Sequence, residues 1–580
     1  MAYNHPQHHI VKLPAWRRRV LLIGVLVGFG GLLLRGVYLQ SVHKAFLQQK
    51  GDARYSRTLV LQAHRGKITD RNGELLAISS PVESVWASPP DVEIDAKQKV
   101  ELTKLLGINA KEFDKKIANT EREFVYLKRR MSPTIAAKIM SLQIPGIFTE
   151  HEFKRFYPAG DVTAHVVGFT GIDDNGQEGF ELAQNASLSG KAGERRVIKD
   201  RQGHIVEDLE AVKVPQDGHD LVLSIDRRIQ YLAFRELAKA VDLYKAKAGA
   251  AIVLDAKTGE VLAMTNIPTY NPNNPVNIQG KTRNRTLTDI YEPGSTMKPM
   301  AVSAAMEFGG FKPTTKIDTG NGTLSIGPAT IHDAHPHGVI PVAQVIQFSS
   351  NVGASKMALT LKKEELWSTF NQLGFGAPTH VGFPGEASGK LRPYKTWRPI
   401  EQATMSFGHG ISVTLLQMAR AYTVFANEGE MKPVSLLKLS EAPVGHQVFS
   451  AQVASDMKDM LELVIQPGGT AVKAAIPGYR VAGKTGTAHK LGPHGYEEDK
   501  YVGSFVGMVP ASNPRLIMAV MIDEPTTGEY YGGTIAAPVF STVMADTLRM
   551  LAIPQDAPNT NIVIPPENAP SSNEDAKEVI

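Results

Sequence analysis

The sequence predicts an α+β protein: a single N-terminal transmembrane helix, an elongated α+β region after it, and a larger α+β domain in which an antiparallel sheet is packed with helices. Three observations carry this. An uncharged apolar run over residues 20–34 follows Trp16 and three consecutive arginines, Arg17, Arg18 and Arg19. From there to about residue 222, short strand-like runs alternate with glycine turns and amphipathic stretches, without an internal repeat. Beyond Asp226, paired strand patterns lie among long amphipathic helices. The expected order is a cytoplasmic tail over 1–19, the anchor over 20–40, the elongated region over 50–225, the sheet-and-helix domain over 226–555 and a flexible tail over 556–580.

The apolar run is shorter than the roughly 20 residues a spanning helix needs, so a cleavable signal peptide is the competing reading. No small-x-small cleavage site follows, and Arg35 is placed to snorkel to the interface while the apolar pattern continues through "GVYLQ". A signal anchor is the better account. The arginine triplet orients its leading end to the cytoplasm and everything after about Gln40 to the outer side. With 580 residues, 42% hydrophobic and 21% charged, the rest of the chain has the composition of folded protein in two or more domains. A net charge of +5, with no Lys/Arg-rich run interleaved with aromatics outside the N-terminus, argues against nucleic acid as a partner. The absence of cysteine excludes disulfides, thiolate metal sites and cysteine nucleophiles, and suits an oxidising compartment.

In the elongated region, "AHRGKITDRNGELLAIS" holds an Asn72-Gly73 turn between apolar runs and predicts a hairpin. The charged, turn-rich stretches "HEFKRFYPAG" and "GQEGFELAQNASLSGKAGERR" read as solvated surface, and no catalytic group stands out. In the second domain, "RRIQYLAFRELAKAVDLY" predicts an amphipathic helix. "GAAIVLD" and "EVLAMTN" predict a hairpin turning at Ala256, Lys257, Thr258 and Gly259. "VTLLQMARAYTVFAN" and "AQVASDMKDMLELVI" predict helices, "YVGSFVGMVP" and "RLIMAVMID" paired strands, and "APVFSTVMADTLRMLA" a closing helix. The Pro-rich, acidic end reads as disordered.

Three short elements occur in this domain in order: Ser295, Thr296, Met297 and Lys298; then Ser349, Ser350 and Asn351; then Lys484, Thr485, Gly486 and Thr487. Each has decoys. S-x-x-K recurs at Ser41, Ser435 and Ser455, K-T-G at Lys257, and S-x-N at Ser571, so only the ordered set within one domain carries weight. Pro299 requires a helix to start close to Ser295 and Lys298, because proline is tolerated only in the first turn. The free N–H groups and positive dipole end of that helix favour a forming alkoxide or acyl oxyanion. At i and i+3 the lysine amine reaches the serine hydroxyl. An ordinary lysine is a poor base at neutral pH, and burial or a neighbouring cation such as Lys484 is needed to change that. Ser349 supplies a second hydroxyl for relaying protons, and Asn351 an amide that both donates and accepts. "GKTGTA" follows "YRVA" and lies on or beside a strand, where glycine lets a substrate backbone approach and the threonine hydroxyls suit a carboxylate.

These residues resemble the serine acyltransferases that comprise penicillin-binding proteins and serine β-lactamases, marked by S-x-x-K, S-x-N and K-T-G. "RGKITDRNGELLA" resembles the opening motif of the non-catalytic pedestal domain of class B penicillin-binding proteins, and the run around Gln177 to Gly193 its later part. "EPGSTMKP", with Glu292, is similar to the division-specific, penicillin-binding protein 3 type rather than the elongation-specific one. The resemblance implies a penicillin-binding transpeptidase or β-lactamase-like domain with peptidoglycan D,D-transpeptidase activity, and covalent inhibition by β-lactams. Ser295 would be the nucleophile and Lys298 the group taking its proton. Ser349 and Lys484 would relay or tune that proton, Asn351 would hold the stem-peptide amide, Thr485, Gly486 and Thr487 would bind the substrate, and the N–H groups of Ser295 and Thr487 would form the oxyanion hole. No cofactor or metal is implied. The expected partners are peptidoglycan stem peptides, a membrane glycosyltransferase that polymerises glycan, and other cell-division proteins, at the bacterial inner membrane with the catalytic domain periplasmic.

Other readings remain open at this point: an elongation-specific transpeptidase, a serine β-lactamase or D,D-carboxypeptidase, and a β-lactam sensor or scaffold. The large region before Asp226 and the uncleaved anchor argue against a secreted hydrolase. A glycan-polymerising domain is not expected, since the N-terminal region shows no catalytic acid cluster. "IHDAHPHG" brings His332, Asp333, His335 and His337 together without a metal-ligand spacing, and reads as turn structure.

Overall fold

The computed structural model describes residues 14–41, 43–44, 56–199, 205–492 and 495–557. The expected C-terminal tail from residue 558 onward, with its S-x-N decoy at Ser571, and the first 13 residues lie outside them. The N-terminal apolar segment is one helix, Ala15–Ser41, of 27 residues with no buried side chain. At 1.5 Å per residue that is about 40 Å, enough to cross a hydrocarbon core. The helix starts before the apolar run and carries Arg17 to Arg19 on its first turns, so the run that looked short is part of a sufficient span.

The chain divides into two compact units. The first comprises residues 1–63, 84–150 and 191–216. It contains a three-stranded antiparallel sheet of Ser56–Leu61, Gly193–Lys199 and Ile205–Lys213, with the second strand in the middle. It also contains a small core built on Leu102, Leu106, Phe113, Leu127, Ile139 and Ile147. One of its helices, Ala96–Leu106, is specified by local chemistry at both ends. Asp95 and Gln98 form a capping box, and Gly107 takes the left-handed conformation that ends the helix.

The second unit comprises residues 64–83, 151–190 and 217–580. Its centre is a five-stranded, wholly antiparallel sheet: β1 (Ala248–Asp255), β2 (Val261–Ile267), β3 (Ala482–Gly492), β4 (Gly495–Val509) and β5 (Leu516–Asp523), in the order β2-β1-β5-β4-β3. The residues of β5 are all buried, and those of β1 nearly so, because helices cover both faces; this is why both strands read as unbroken apolar runs rather than alternating ones. Arg227–Leu243 and Ala537–Met550 pack together and against the sheet. A helical lobe is built round Lys298–Gly309, which is buried from Lys298 to Met306 and packs against Asn351–Leu359, Lys363–Gln372 and Ala451–Leu463. A helix apolar on every side belongs in such an interior. The stretch "VTLLQMARAYTVFAN", expected as one helix, is two, Leu415–Ala421 and Thr423–Ala426. They meet at buried Tyr422, whose hydroxyl donates to the carbonyl of Thr296 (2.9 Å).

The two segments expected as solvated surface are in part interior. Glu181 is fully buried between two buried guanidiniums, with Arg65 Nε and Arg155 Nε each 2.7 Å from one of its carboxylate oxygens. Arg65 donates further to Asp174 O, Asn185 Oδ1, Ser189 Oγ and Glu181 O, and Arg155 to Gly66 O and Ser79 Oγ. Fully satisfied hydrogen bonding is what makes these burials tolerable, and turn-rich composition conceals it. Replacing Glu181 with Ala strands two buried cations, so the midpoint in a denaturant titration falls by the equivalent of about 3–5 kcal/mol. A change within that of an ordinary surface substitution contradicts the burial.

Candidate active site

The segment "YEPGSTMKPM" folds as its prolines and glycine demand. Gly294–Met297 is a short 3-10 turn that runs directly into the helix Lys298–Gly309, with Pro299 in the helix's first turn. Thr296 Oγ1 donates to Pro293 O (2.7 Å) and closes the turn. Two glycines let neighbouring backbone reach it. Gly408, at φ +86°, lies so close that a Cβ would stand 2.3 Å from Gly294 O, and a Cβ on Gly486 of β3 would stand 2.8 Å from Pro293 O and 2.5 Å from Ser504 Oγ. Gly294 in turn lies against the Thr487 carbonyl, 3.3 Å from where its own Cβ would be. The backbones on either side of Ser295 and Thr487 are thus neighbours.

The three sequence elements converge. Lys298 Nζ donates to Ser295 Oγ (2.8 Å), to Ser349 Oγ (2.9 Å) and to the Ser349 carbonyl. Lys484 Nζ reaches the same Ser349 Oγ at 2.8 Å, with Thr485 O and Thr485 Oγ1 at 3.4 Å. Ser295, Lys298 and Lys484 are fully buried, and Ser349 nearly so. Two ammonium charges on one hydroxyl oxygen, shielded from water, repel each other and lose hydration. The arrangement can therefore pass a proton between the two amines through Ser349 Oγ, with Lys298 linking that oxygen to Ser295 Oγ.

Ser349 has φ +64°, a left-handed conformation uncommon for a side chain that is not glycine, and this turns both its carbonyl and its hydroxyl onto the lysines. The conformation is held from outside. Ser350 caps the helix Asn351–Leu359, accepting from Gly353 N (2.9 Å) and donating to Asp333 Oδ2 (2.7 Å), while Val352 N donates to Asp333 Oδ1 (2.9 Å). The histidine-rich loop is turn structure with this one positioning task. His332 O accepts from Asn351 Nδ2 (2.9 Å), and His337 stacks on Phe348 at 4.9 Å. Asn351 Oδ1 is buried and has no hydrogen-bond partner, which leaves it as an acceptor for an incoming N–H. Substituting Asp333 with Ala removes two charge-assisted bonds, so the rate of acylation by a penicillin falls by about ten- to hundredfold while the melting temperature drops by only a few degrees. An unaltered acylation rate contradicts the bracing role.

β3 is an edge strand of the sheet, with β4 as its neighbour on the other side. Thr485 and Thr487, two apart, share a strand face. Thr485 Oγ1 lies 2.8 Å from Thr470 Oγ1, and Thr487 Oγ1 accepts from Gly532 N (3.2 Å). An edge strand beside the Ser295 turn can pair with an extended peptide. The second K-T-G forms the β1–β2 turn instead, where Lys257 Nζ donates to Ala426 O (2.9 Å).

Sequence reasoning gave four groups no place in the site: Asp333 and Glu292, which it named, and Thr470 and His409, which it passed over. Asp333 and Thr470 have been described. Glu292 Oε1 accepts from Gly410 N (2.9 Å) and Oε2 from the Tyr496 hydroxyl (2.8 Å). His409 is buried between Phe407 and Tyr496, and burial first, then the nearby His489 and Lys298, lowers its pKa to about 4, so the ring is neutral at physiological pH. No local motif marks the Gly408, His409 and Gly410 turn. The signal that could have pointed to it is a histidine flanked by two glycines, the pattern of a backbone in close contact.

Residues 249–545 match the family described as penicillin binding protein transpeptidase domain, and residues 60–223 the penicillin-binding protein dimerisation domain. The chain is 42% identical over 563 residues to a probable peptidoglycan D,D-transpeptidase PenA of Neisseria meningitidis serogroup A, covering 96% of this chain and 97% of that one. It is 41% identical over 554 residues to peptidoglycan D,D-transpeptidase FtsI of Escherichia coli K12, covering 94% of each. Among solved structures, the transpeptidase domain of Burkholderia pseudomallei penicillin-binding protein 3 superposes with a TM-score of 0.54 at 49% identity, covering 58% of this chain and 98% of that one. A peptidoglycan synthetase of Bifidobacterium adolescentis superposes with a TM-score of 0.70 at 26% identity, covering 87% of this chain and 98% of that one.

Proposed function

The chain belongs to the penicillin-binding proteins of the peptidoglycan D,D-transpeptidase type, and from that premise we propose how its residues crosslink stem peptides during septal wall synthesis. The carrying observation is the 2.8 Å contact of Lys298 Nζ with Ser295 Oγ, extended through Ser349 Oγ to Lys484 Nζ. Lys298, as the neutral amine, takes the Ser295 proton while Oγ attacks the carbonyl of the penultimate D-alanine. The tetrahedral oxyanion lies between the N–H groups of Ser295 and Thr487. As the carbon–nitrogen bond breaks, the proton returns through Lys298 and Ser349 to the departing D-alanine amine, and the donor remains as an ester on Ser295. An amine from a neighbouring strand then attacks the ester and loses a proton to Lys298. Lys298 passes that proton to Ser295 Oγ as the new amide forms.

The donor runs along β3, where Gly486 leaves room for its backbone. Asn351 Oδ1 accepts a stem-peptide N–H, and Thr485 and Thr487 hold the terminal carboxylate. A β-lactam presents a strained amide in place of the D-alanyl-D-alanine bond, and its leaving group stays attached, so the ester persists. The N-terminal helix anchors the chain with its arginine-bearing end cytoplasmic and the catalytic residues on the outer side. A membrane glycosyltransferase supplies the glycan strands, and the division-specific wording "EPGSTMKP" supports assembly with other cell-division proteins.

Reconstitution of the full-length chain in liposomes with a glycan polymerase and lipid-linked precursor tests the reading. Muropeptide analysis is expected to show crosslinked dimers that disappear with penicillin. Only trimmed, uncrosslinked peptides would identify a carboxypeptidase.

A further inference from the structure

Crosslinking needs a second substrate, an amine, and the residues above account only for the first. We infer that the Glu292 carboxylate is the subsite for the acceptor's ammonium group, with the ring of His409 and the hydroxyl of Tyr496 as its walls. The inference rests on the transpeptidase reading of the same site.

Glu292 lies three residues before Ser295, on the chain entering the nucleophile's turn, and is half-buried. Among the described residues no cation pairs with it. Its two oxygens are held by neutral donors, the Gly410 N–H and the Tyr496 O–H. Partial withdrawal from water pushes its carboxyl upward, and the two hydrogen bonds only partly offset this. A carboxylate so placed gains most from a cation arriving with the substrate. The second observation is His409, nine-tenths buried, whose Nε2 has no hydrogen-bond partner and whose ring lies 5.5 Å from that of Tyr496. Gly408, the residue before it, packs directly on Gly294, so the same short turn touches both the carboxylate, through Gly410, and the nucleophile's own turn. Being neutral, His409 adds no charge to repel an ammonium, and its ring nitrogen adds a polar contact.

The chemistry balances. The acceptor enters as R–NH3+ and gives one proton to Glu292. The free amine adds to the Ser295 ester carbon, and the second proton goes to Lys298 and on to Ser295 Oγ as the carbon–oxygen bond breaks. An amide and a free serine result, and Glu292 releases its proton to solvent. Water carries no positive charge, so this subsite favours aminolysis over hydrolysis.

The test uses the full-length chain in detergent, acylated by an N-acyl-D-alanyl-D-lactate depsipeptide. It is then offered either Nα-acetyl-D-lysine amide, whose one free amine is protonated at neutral pH, or hydroxylamine, which is uncharged there. Glu292→Gln keeps the shape and, through its amide oxygen, the bond from Gly410 N; its amide nitrogen donates to a Tyr496 hydroxyl turned to accept, and the charge is lost. The ratio of aminolysis to hydrolysis is expected to fall by about ten- to hundredfold with the lysine amide and far less with hydroxylamine, since a charge-assisted contact is lost only for the former. Equal falls for both amines, or none for the lysine amide, overturn the subsite and leave Glu292 a structural clasp. A wild-type chain that forms no acyl-enzyme with either the depsipeptide or penicillin overturns the transpeptidase reading and the subsite with it.

Discussion

Ser295→Ala is expected to abolish the covalent penicillin adduct and reduce peptide crosslinking by about 10⁴-fold or more, while the protein remains folded. The size follows from what is removed. Without Oγ there is no acyl-enzyme, and the lysines, Ser349 and the backbone donors have no covalent chemistry to assist. The small effect on stability follows from the same contacts. The substitution deletes one oxygen and leaves Lys298 Nζ with its bonds to Ser349 O and Ser349 Oγ. Thermal unfolding beside a gel assay with fluorescent penicillin checks both parts. A mutant that still acylates at a comparable rate moves the nucleophile elsewhere, and Ser349 is then the first candidate.

Lys298→Met has the second largest expected effect, a fall of about 10³- to 10⁴-fold in the acylation rate, because both the base and the group orienting Ser295 are lost. Methionine fills much of the lysine's volume, so the buried helix keeps its packing. The unmet cost is polar, since Ser349 O loses its lysine donor. Lys484 is not expected to rescue the reaction, because its Nζ is engaged with Ser349 Oγ and with Thr485 O and Oγ1. Stopped-flow acylation with a chromogenic cephalosporin gives the rate, and near-UV circular dichroism shows whether the interior is kept. A fall of only a few-fold would assign the proton to another group.

The parts legible in the sequence are those governed by local rules. Pro299 placed Ser295 at a helix start, short apolar runs bounded by turn residues placed β1, β2, β4 and β5, and the order of three motifs picked out which residues meet. The parts that escaped are contacts made across long separations. Asp333 holds the Ser350 turn from a loop rich in histidine that invited a metal reading or none. Arg155 and Glu181 lie 26 positions apart inside charged segments, and nothing in either segment shows that Arg65 completes their pairing. The break at Tyr422 follows the same logic, for its hydroxyl answers to Thr296, 126 positions away. Glu292 was noticed as a family marker, yet that only neutral donors hold it among the described residues is visible only once Gly410 and Tyr496 are placed around it.

The central claim is that Ser295 is a nucleophile whose acyl-enzyme is long-lived. Intact-protein mass spectrometry of the full-length chain before and after penicillin, with Ser295→Ala alongside, addresses it most directly. The expected result is a gain of one penicillin mass that persists after the free drug is removed, maps to the peptide containing Ser295 and is absent from the mutant. An unmodified wild-type mass with the drug intact, or an adduct that survives in Ser295→Ala, contradicts it.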